Sequence, residues 1–304
     1  MQNSDAAILE KINKLKKEKN AIILAHNFQL AEVQDAADFV GESIELVRQA
    51  QATEADVIVL CGVKFMAETA AIVSPEKTVL LPDKNAGCLL AEMITVKRLR
   101  EKKKEYPGAI VVAYINTSAG VKALSDYCCT ASNALEIIEE LPKDKEVMFV
   151  PDQYMGDYLA TKTGRDLILW PGFCSPHIKI RPEDIKREKE EHPDAKVIVH
   201  MECIPMTKAL ADEVLSSGGI VRYARETDAK EIIVGTEPNI LHRLRKENPD
   251  KTFIAASDRA TCAKMKMISL DTVLWSLESM TEPIKVAETT RLKAKKAVDR
   301  MLER

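Results

Sequence analysis

Short apolar runs and amphipathic stretches alternate along this chain, and the alternation repeats three times. Each copy opens with an apolar run of strand length: AIILAHN at 21–27, AIVVAYIN at 109–116 and KVIVHME at 196–202. A second run follows in each, DVIVLCG, EVMFVP and EIIVGT. A third, TVLLPDKNAGC, DLILWPGFC and TFIAASDRATC, leads into a turn that carries one cysteine. Unbroken apolar runs, rather than strict alternation, mark strands covered on both faces, as in a parallel sheet. Between them, stretches such as AADFVGESIELVRQAQ and NALEIIEELP carry apolar residues at helical spacing. Each copy therefore reads strand, helix, strand, helix, strand, helix, about the smallest parallel α/β sandwich.

Equivalent positions recur every 86 to 88 residues. His26 precedes Cys88 by 62 residues, Tyr114 precedes Cys174 by 60, and His200 precedes Cys262 by 62. An isoleucine follows each cysteine by six positions (Ile94, Ile180, Ile268). The charged helices TVKRLREKKKEY and PEDIKREKEE are followed by Pro107-Gly108 and His192-Pro193, which punctuate the copies. The expected units are residues 1–106, 107–191 and 192–282. At the start, Ile8, Leu9, Ile12 and Leu15 share a helical face behind a Ser4 cap. The basic helix in 283–304 is expected beside that first helix, on the first unit. The fold class is α/β: three pseudo-symmetry-related three-layer αβα domains, each with a short parallel sheet.

Composition narrows the function. The net charge of the 304-residue chain is −3 and 46% of it is apolar, which argues against a nucleic-acid or membrane surface and for a small-molecule partner. The apolar runs fall short of the roughly 20 residues of a membrane span, and no signal-peptide core opens the chain, so a cytoplasmic protein is expected. Seven cysteines are an odd number in a chain too long to need disulfide staples, which favours reduced thiols or metal ligands.

Parallel sheets place the loops after their strands on one edge. Three copies around a pseudo-threefold axis, strand ends inward, bring Cys88, Cys174 and Cys262 together without any local ligand motif. Thiolates select soft metals, above all iron–sulfur clusters and zinc. Three thiolates with no fourth partner suit a 4Fe-4S cluster whose open iron acts on substrate as a Lewis acid. Cys61, Cys128, Cys129 and Cys203 have no such recurrence and read as packing residues, Cys203 being notable for adjoining a strand end.

Residues i and i+2 of a strand share a face, so the first strands present His26 with Phe28, Tyr114 with Asn116, and His200 with Glu202 toward the centre. The set offers cations, hydrogen-bond donors and one carboxylate. Seventeen residues after each anchor stands Ser43, Ala131 or Ser217, near the start of a following element. Hydroxyls and free amides at helix N-termini bind phosphate or carboxylate, and Thr130, Ser132, Ser216 and Gly218-Gly219 add to them, although such clusters also serve as ordinary caps. The residues alone lead to an iron–sulfur lyase for anionic substrates. Another hydro-lyase for a small dicarboxylate and a non-catalytic iron–sulfur sensor stand beside that reading, the sensor disfavoured by Glu202 and the two central histidines.

The motifs LAHNFQ, VQDAADFVGES, GVKFMAETA, YINTSA, TGR at 163–165, HMEC and SSGG, in this order with the three cysteines, resemble the quinolinate synthase family over essentially the whole chain. The resemblance implies a triangle of three α/β domains around a 4Fe-4S cluster held by Cys88, Cys174 and Cys262. It implies condensation of iminoaspartate (iminosuccinate) with dihydroxyacetone phosphate to quinolinate, releasing phosphate and two waters, in NAD biosynthesis. A functional link to L-aspartate oxidase or aspartate dehydrogenase follows. His26, Ser43, Tyr114, Asn116, His200 and Ser217 would bind substrate, with Phe28, Ala131, Ser132 and Ser216 in the same set and His177 near the cluster. Glu202 would shuttle protons and touch the ligand of the unique iron, with Tyr114 and His200 as further catalytic candidates. This chain departs from the family at Phe28, where tyrosine is usual, at Ala131 for serine, at Ser217 for threonine, and in HMEC, where a proline form is commoner.

Overall fold

A computed structural model of the chain describes residues 2–304, with side chains from residue 6 onward. The first helix runs Gln2–Glu18, so the Ser4 cap expected from the sequence concerns a side chain outside those described. Three parallel four-stranded sheets follow. The first holds β1 (Ala21–His26), β2 (Phe39–Gly41), β3 (Val57–Cys61) and β4 (Thr78–Leu80). The second holds β5 (Ile110–Tyr114), β6 (Tyr127–Cys129), β7 (Val147–Val150) and β8 (Leu167–Leu169). The third holds β9 (Lys196–His200), β10 (Glu213–Leu215), β11 (Glu231–Gly235) and β12 (Thr252–Ala255). In each, the order is second, first, third, fourth strand, so the first strand of every copy is central.

The sequence pattern anticipates three strands per copy, and the edge strands β2, β6 and β10 are additional. Each is three residues long, too short for a periodicity. The stretch AADFVGESIELVRQAQ accordingly contains β2 and then the helix Ser43–Ala52 rather than one helix. One aspartate per copy aligns these edges. Ile23, Val111 and Val197 donate their backbone N–H groups to Asp38, Asp126 and Asp212, each at 2.8 Å, and the aspartate N–H groups return to the same residues' carbonyls.

The apolar runs are explained by burial on both sheet faces. On one face of the first sheet, Ile23, Ala25, Val57 and Val59 pack with Ile12, Leu270, Val273 and Leu277. On the other, Leu24, Ile58 and Leu60 pack with Leu46, Val47 and Ile72. Each such fully buried Val, Leu or Ile side chain contributes about 1.5–3 kcal/mol.

The covering helices pass from copy to copy. Val96–Glu105, after the first cysteine turn, reaches the second unit through Lys103 Nζ, which donates to Leu124 O at 2.7 Å. Pro182–Glu191, after the second, buries Ile185 with Val197 and Ile233 of the third sheet. Leu270–Ser279, after the third, covers the first sheet. The sequence boundaries assign each helix to the copy before it; in space each closes the copy after it, and the three units form a ring. The last helix, Glu288–Leu302, corrects a second expectation. It lies against β6 and the helix Ala119–Lys122 of the second unit and Lys64–Val73 of the first, not beside Gln2–Glu18. Asn133 Nδ2 donates to Met301 O at 2.9 Å and ties it there. Among the described residues no helix is long and apolar enough to cross a membrane.

Candidate active site

The strand ends of all three sheets open on one cavity of about 180 Å³, far larger than the roughly 10–15 Å³ that one water needs. His26 and Phe28 from the first copy, Tyr114 and Asn116 from the second, and His200 and Glu202 from the third line it. Cys88, Cys174 and Cys262 line it too, with Ser43, Ala131, His177 and Ser217. Two members of the expected set stand off. Ser132 pairs its hydroxyl with Thr130 at 2.7 Å, and it is Thr130 that lines the cavity. Ser216 caps the helix Ser217–Glu226, accepting from Gly219 N at 2.9 Å.

The Cys174 turn shows how the backbone aims a thiol at the cavity. Gly172 passes so close to the second sheet that a Cβ there would lie 2.3 Å from Pro151 O, and its own carbonyl accepts from Gln153 N at 2.8 Å. Trp170 Nε1 donates to Met93 O at 3.2 Å, linking this turn to the one after Cys88. In all three copies a short helical segment follows the cysteine, at Leu89–Glu92, His177–Lys179 and Met265–Met267. The isoleucine six positions on is buried each time.

The three thiols are free. Burial raises all three, Cys88 to about 12, and mutual repulsion adds to it: Cys262 acts on Cys88, and Cys88 on Cys174. Three thiols crowded into one cavity become thiolates together only when a cationic soft centre compensates them, so the donor set suits an iron–sulfur group or zinc. Cys61, Cys128, Cys129 and Cys203 are fully buried inside the sheets and strand-end turns, with their pKa raised by burial. They fit the packing reading.

Beside Cys174 sits a cluster of buried titratable side chains. His177 Nδ1 is 2.8 Å from Glu202 Oε2 and 3.1 Å from Cys174 Sγ, and its Nε2 is 2.8 Å from Thr236 Oγ1. His200 stacks on His177, ring centroids 4.5 Å apart, and Asn116 Nδ2 donates to Glu202 Oε1 at 3.4 Å. Burial would push the Glu202 carboxyl up, but His177 and the hydrogen bond from Cys174 outweigh it and hold the group below the usual carboxylate range.

The sequence reading treats the central histidines as cations, and the structure corrects this. Burial lowers His26 and His200 to about 3; Lys266 adds to the effect at His26, and His177 at His200. Each accepts at Nδ1 from the backbone N–H two residues on, Phe28 at 3.2 Å and Glu202 at 3.3 Å. That bond fixes the tautomer with the proton on Nε2. Burial likewise raises Tyr114 well above the ordinary phenol value, so it stays a neutral donor.

A family model described as "Quinolinate synthetase A protein" matches residues 10–303. The chain belongs to the quinolinate synthase family. A quinolinate synthase of Dehalococcoides mccartyi (strain CBDB1) is 56% identical over 295 residues, covering 97% of both chains. Those of Desulforudis audaxviator (strain MP104C) and Thermodesulfovibrio yellowstonii (strain ATCC 51303 / DSM 11347 / YP87) are 49% and 50% identical, covering 99% and 97% of both chains.

Two residues of this cavity escape sequence reasoning. Glu42, one position before Ser43, lines the cavity and accepts from Gly218 N at 2.9 Å, joining the N-termini of the helices Ser43–Ala52 and Ser217–Glu226. Glu237, just past β11, accepts from Cys262 N at 3.3 Å and pairs with Lys266 Nζ at 2.8 Å. Glu42 is matched by Thr130 and Ser216 in the other copies, so periodicity is silent on it; Glu237 follows β11 by two positions as Asp152 follows β7, while Val63 holds that place after β3, so the repeat marks it in two copies of three.

Proposed function

We propose that this chain is a quinolinate synthase that condenses iminoaspartate with dihydroxyacetone phosphate, releasing phosphate and two waters. Cys88, Cys174 and Cys262 would hold a 4Fe-4S cluster. The observation that carries the reading is the convergence, in one cavity, of three thiols from three copies with the Glu202 carboxylate, which is held below the usual carboxylate range. When bound, the cluster supplies an iron without a protein ligand, a Lewis acid for a substrate hydroxyl that must leave as water.

The chain's own residues supply the rest. Glu202 lies below the usual carboxylate range and is therefore ready to accept a proton from a substrate carbon or hydroxyl. His177 orients it through the 2.8 Å contact, and Asn116 holds its other oxygen. The proton sits on Nε2 of neutral His26 and His200, which can donate to developing oxyanions without competing for the base. Tyr114 donates in the same way. Both substrates are anions. Ser43 and Ser217 stand at the first positions of two ten-residue helices, where their hydroxyls and the helix dipoles suit carboxylate or phosphate beside amides already capped by Glu42 and Ser216. Phe28 and Ala131 supply apolar walls where a hydroxyl would otherwise stand. Iminoaspartate must come from oxidation of the amino acid, so an L-aspartate oxidase or aspartate dehydrogenase is the functional partner.

The test is product analysis. Protein reconstituted anaerobically with iron and sulfide is incubated with both substrates, and quinolinate and phosphate are measured. Equimolar quinolinate and phosphate support the reading; phosphate without quinolinate, or neither, overturns it.

A further inference from the structure

The loops that follow β1, β5 and β9 each present two residues to the cavity, and in each the backbone carbonyl of the residue between them is held by a side chain that does not line it. Those carbonyls belong to Asn27, Ile115 and Met201. Each is held by a buried nitrogen eight positions after the strand-end anchor: Gln34, Lys122 and Lys208. Gln34 Nε2 donates to Asn27 O at 3.2 Å and to Gln29 O at 2.8 Å. Lys122 Nζ donates to Ile115 O at 2.8 Å and also to Thr117 O. Lys208 Nζ donates to Met201 O at 3.2 Å and also to Tyr154 O.

These side chains are 5%, 0% and 8% exposed. A fully buried lysine is costly wherever a methionine would fill the same space. Here the ammonium meets two carbonyls, and the Phe65 ring lies 5.4 Å from Nζ. In the first copy, where the clamp is an uncharged amide, Lys266 brings an ammonium to the neighbouring Phe28 O. Every loop of the site thus has a nitrogen donor behind it, at a position shared by the three copies.

We infer that Lys122 is a positioning residue for the synthase reaction, fixing the loop that offers Tyr114 and Asn116 to substrate, with Gln34 and Lys208 doing the same in the other two copies. The inference rests on the quinolinate synthase reading for what is being positioned. Lys122 is the one to test, because its acceptors lie within its own loop, whereas Gln34 and Lys208 also hold Asn239 O and Tyr154 O of neighbouring copies.

The experiment compares Lys122→Met, which keeps the length and loses the donor, with Lys122→Gln, which keeps a donor. Two readouts are taken on the full chain: amide hydrogen exchange, and quinolinate affinity by calorimetry. Charge-assisted hydrogen bonds of this kind support a loss of about tenfold to a hundredfold. The methionine variant should speed exchange over 115–118 by that factor while β3 and β11 keep parental rates, and should weaken quinolinate binding about tenfold or more. The glutamine variant should recover most of both. In an Asn116→Ala background, Lys122→Met should cost little further affinity, because the two act through one contact. Unchanged exchange at 115–118, acceleration spread evenly over the chain, or full additivity with Asn116→Ala would overturn the inference. If the methionine variant does not fold, Gln34→Leu gives the same exchange reading over 27–29. If the parent binds no quinolinate, the synthase reading fails, and exchange alone decides whether the clamp exists.

Discussion

Glu202 Oε2 lies 2.8 Å from His177 Nδ1, and the two residues belong to different copies of the triplicated chain. His177 follows the second cysteine turn and Glu202 follows β9, so the pair exists only where the second and third copies meet. Replacement of Glu202 by glutamine keeps the shape and the Asn116 contact but removes the base. Quinolinate formation should fall by about 10²–10⁴-fold. Iron content should stay at the parental value, which separates loss of the base from loss of the cluster.

Gly172 tests how tightly the Cys174 turn is built. Alanine there brings a methyl to 2.3 Å from Pro151 O, and because the obstacle is backbone, the turn itself must move. Overpacking of this kind costs about 1–3 kcal/mol. Calorimetry should show a lower melting temperature, and iron analysis a reduced cluster content. Full parental loading would show that the turn can shift without losing the ligand.

The cysteines divide into two groups with different expected behaviour. Cys203 is buried and its Sγ faces Gly235 O at 3.5 Å. Cys203→Ala removes one heavy atom from a packed site, at a cost of about 1 kcal/mol, and should leave iron content unchanged. The same substitution at Cys88 or Cys262 should abolish it. Iron and sulfide assays on the three proteins check this.

Lys122 also predicts a pH dependence of stability. Burial lowers its pKa from 10.5 to about 8, opposed by Cys128, Glu68 and Cys88. Below pH 8 both folded and unfolded chains carry the proton, and the full cost of the buried charge is present. Between pH 8 and 10.5 the unfolded chain still holds a proton that the folded chain has released, so this group's contribution rises with pH. Urea denaturation of the parent relative to Lys122→Met should show that gain, on the order of 1 kcal/mol per pH unit. A difference that is flat or falls across the window would contradict it.

Much of this site is legible in the sequence because the chain is triplicated. One cysteine in a turn carries little information; Cys88, Cys174 and Cys262 at matching offsets from three strand ends carry a great deal. His26, Tyr114 and His200 emerge the same way, and so do their i+2 partners. What the repeat does not encode is contact between copies. The helices Val96–Glu105, Pro182–Glu191 and Leu270–Ser279 have amphipathic patterns that identify a buried face but not which sheet buries it. Glu42 becomes visible only when neighbouring copies are brought together. The edge strands are too short for a periodic signal, although Asp38, Asp126 and Asp212, each twelve positions after His26, Tyr114 or His200, mark where they begin. The charge state of the histidines depends on burial depth, which residue type alone does not report.

The central claim is that three equivalent turns hold one open cluster. Its most direct test is anaerobic purification with iron, sulfide and zinc analysis of the parent protein and of Cys174→Ala. About four irons and four sulfides per chain in the parent, lost in the variant, is the predicted result. Zinc in place of iron, no metal, or a cluster that survives without Cys174 would contradict it.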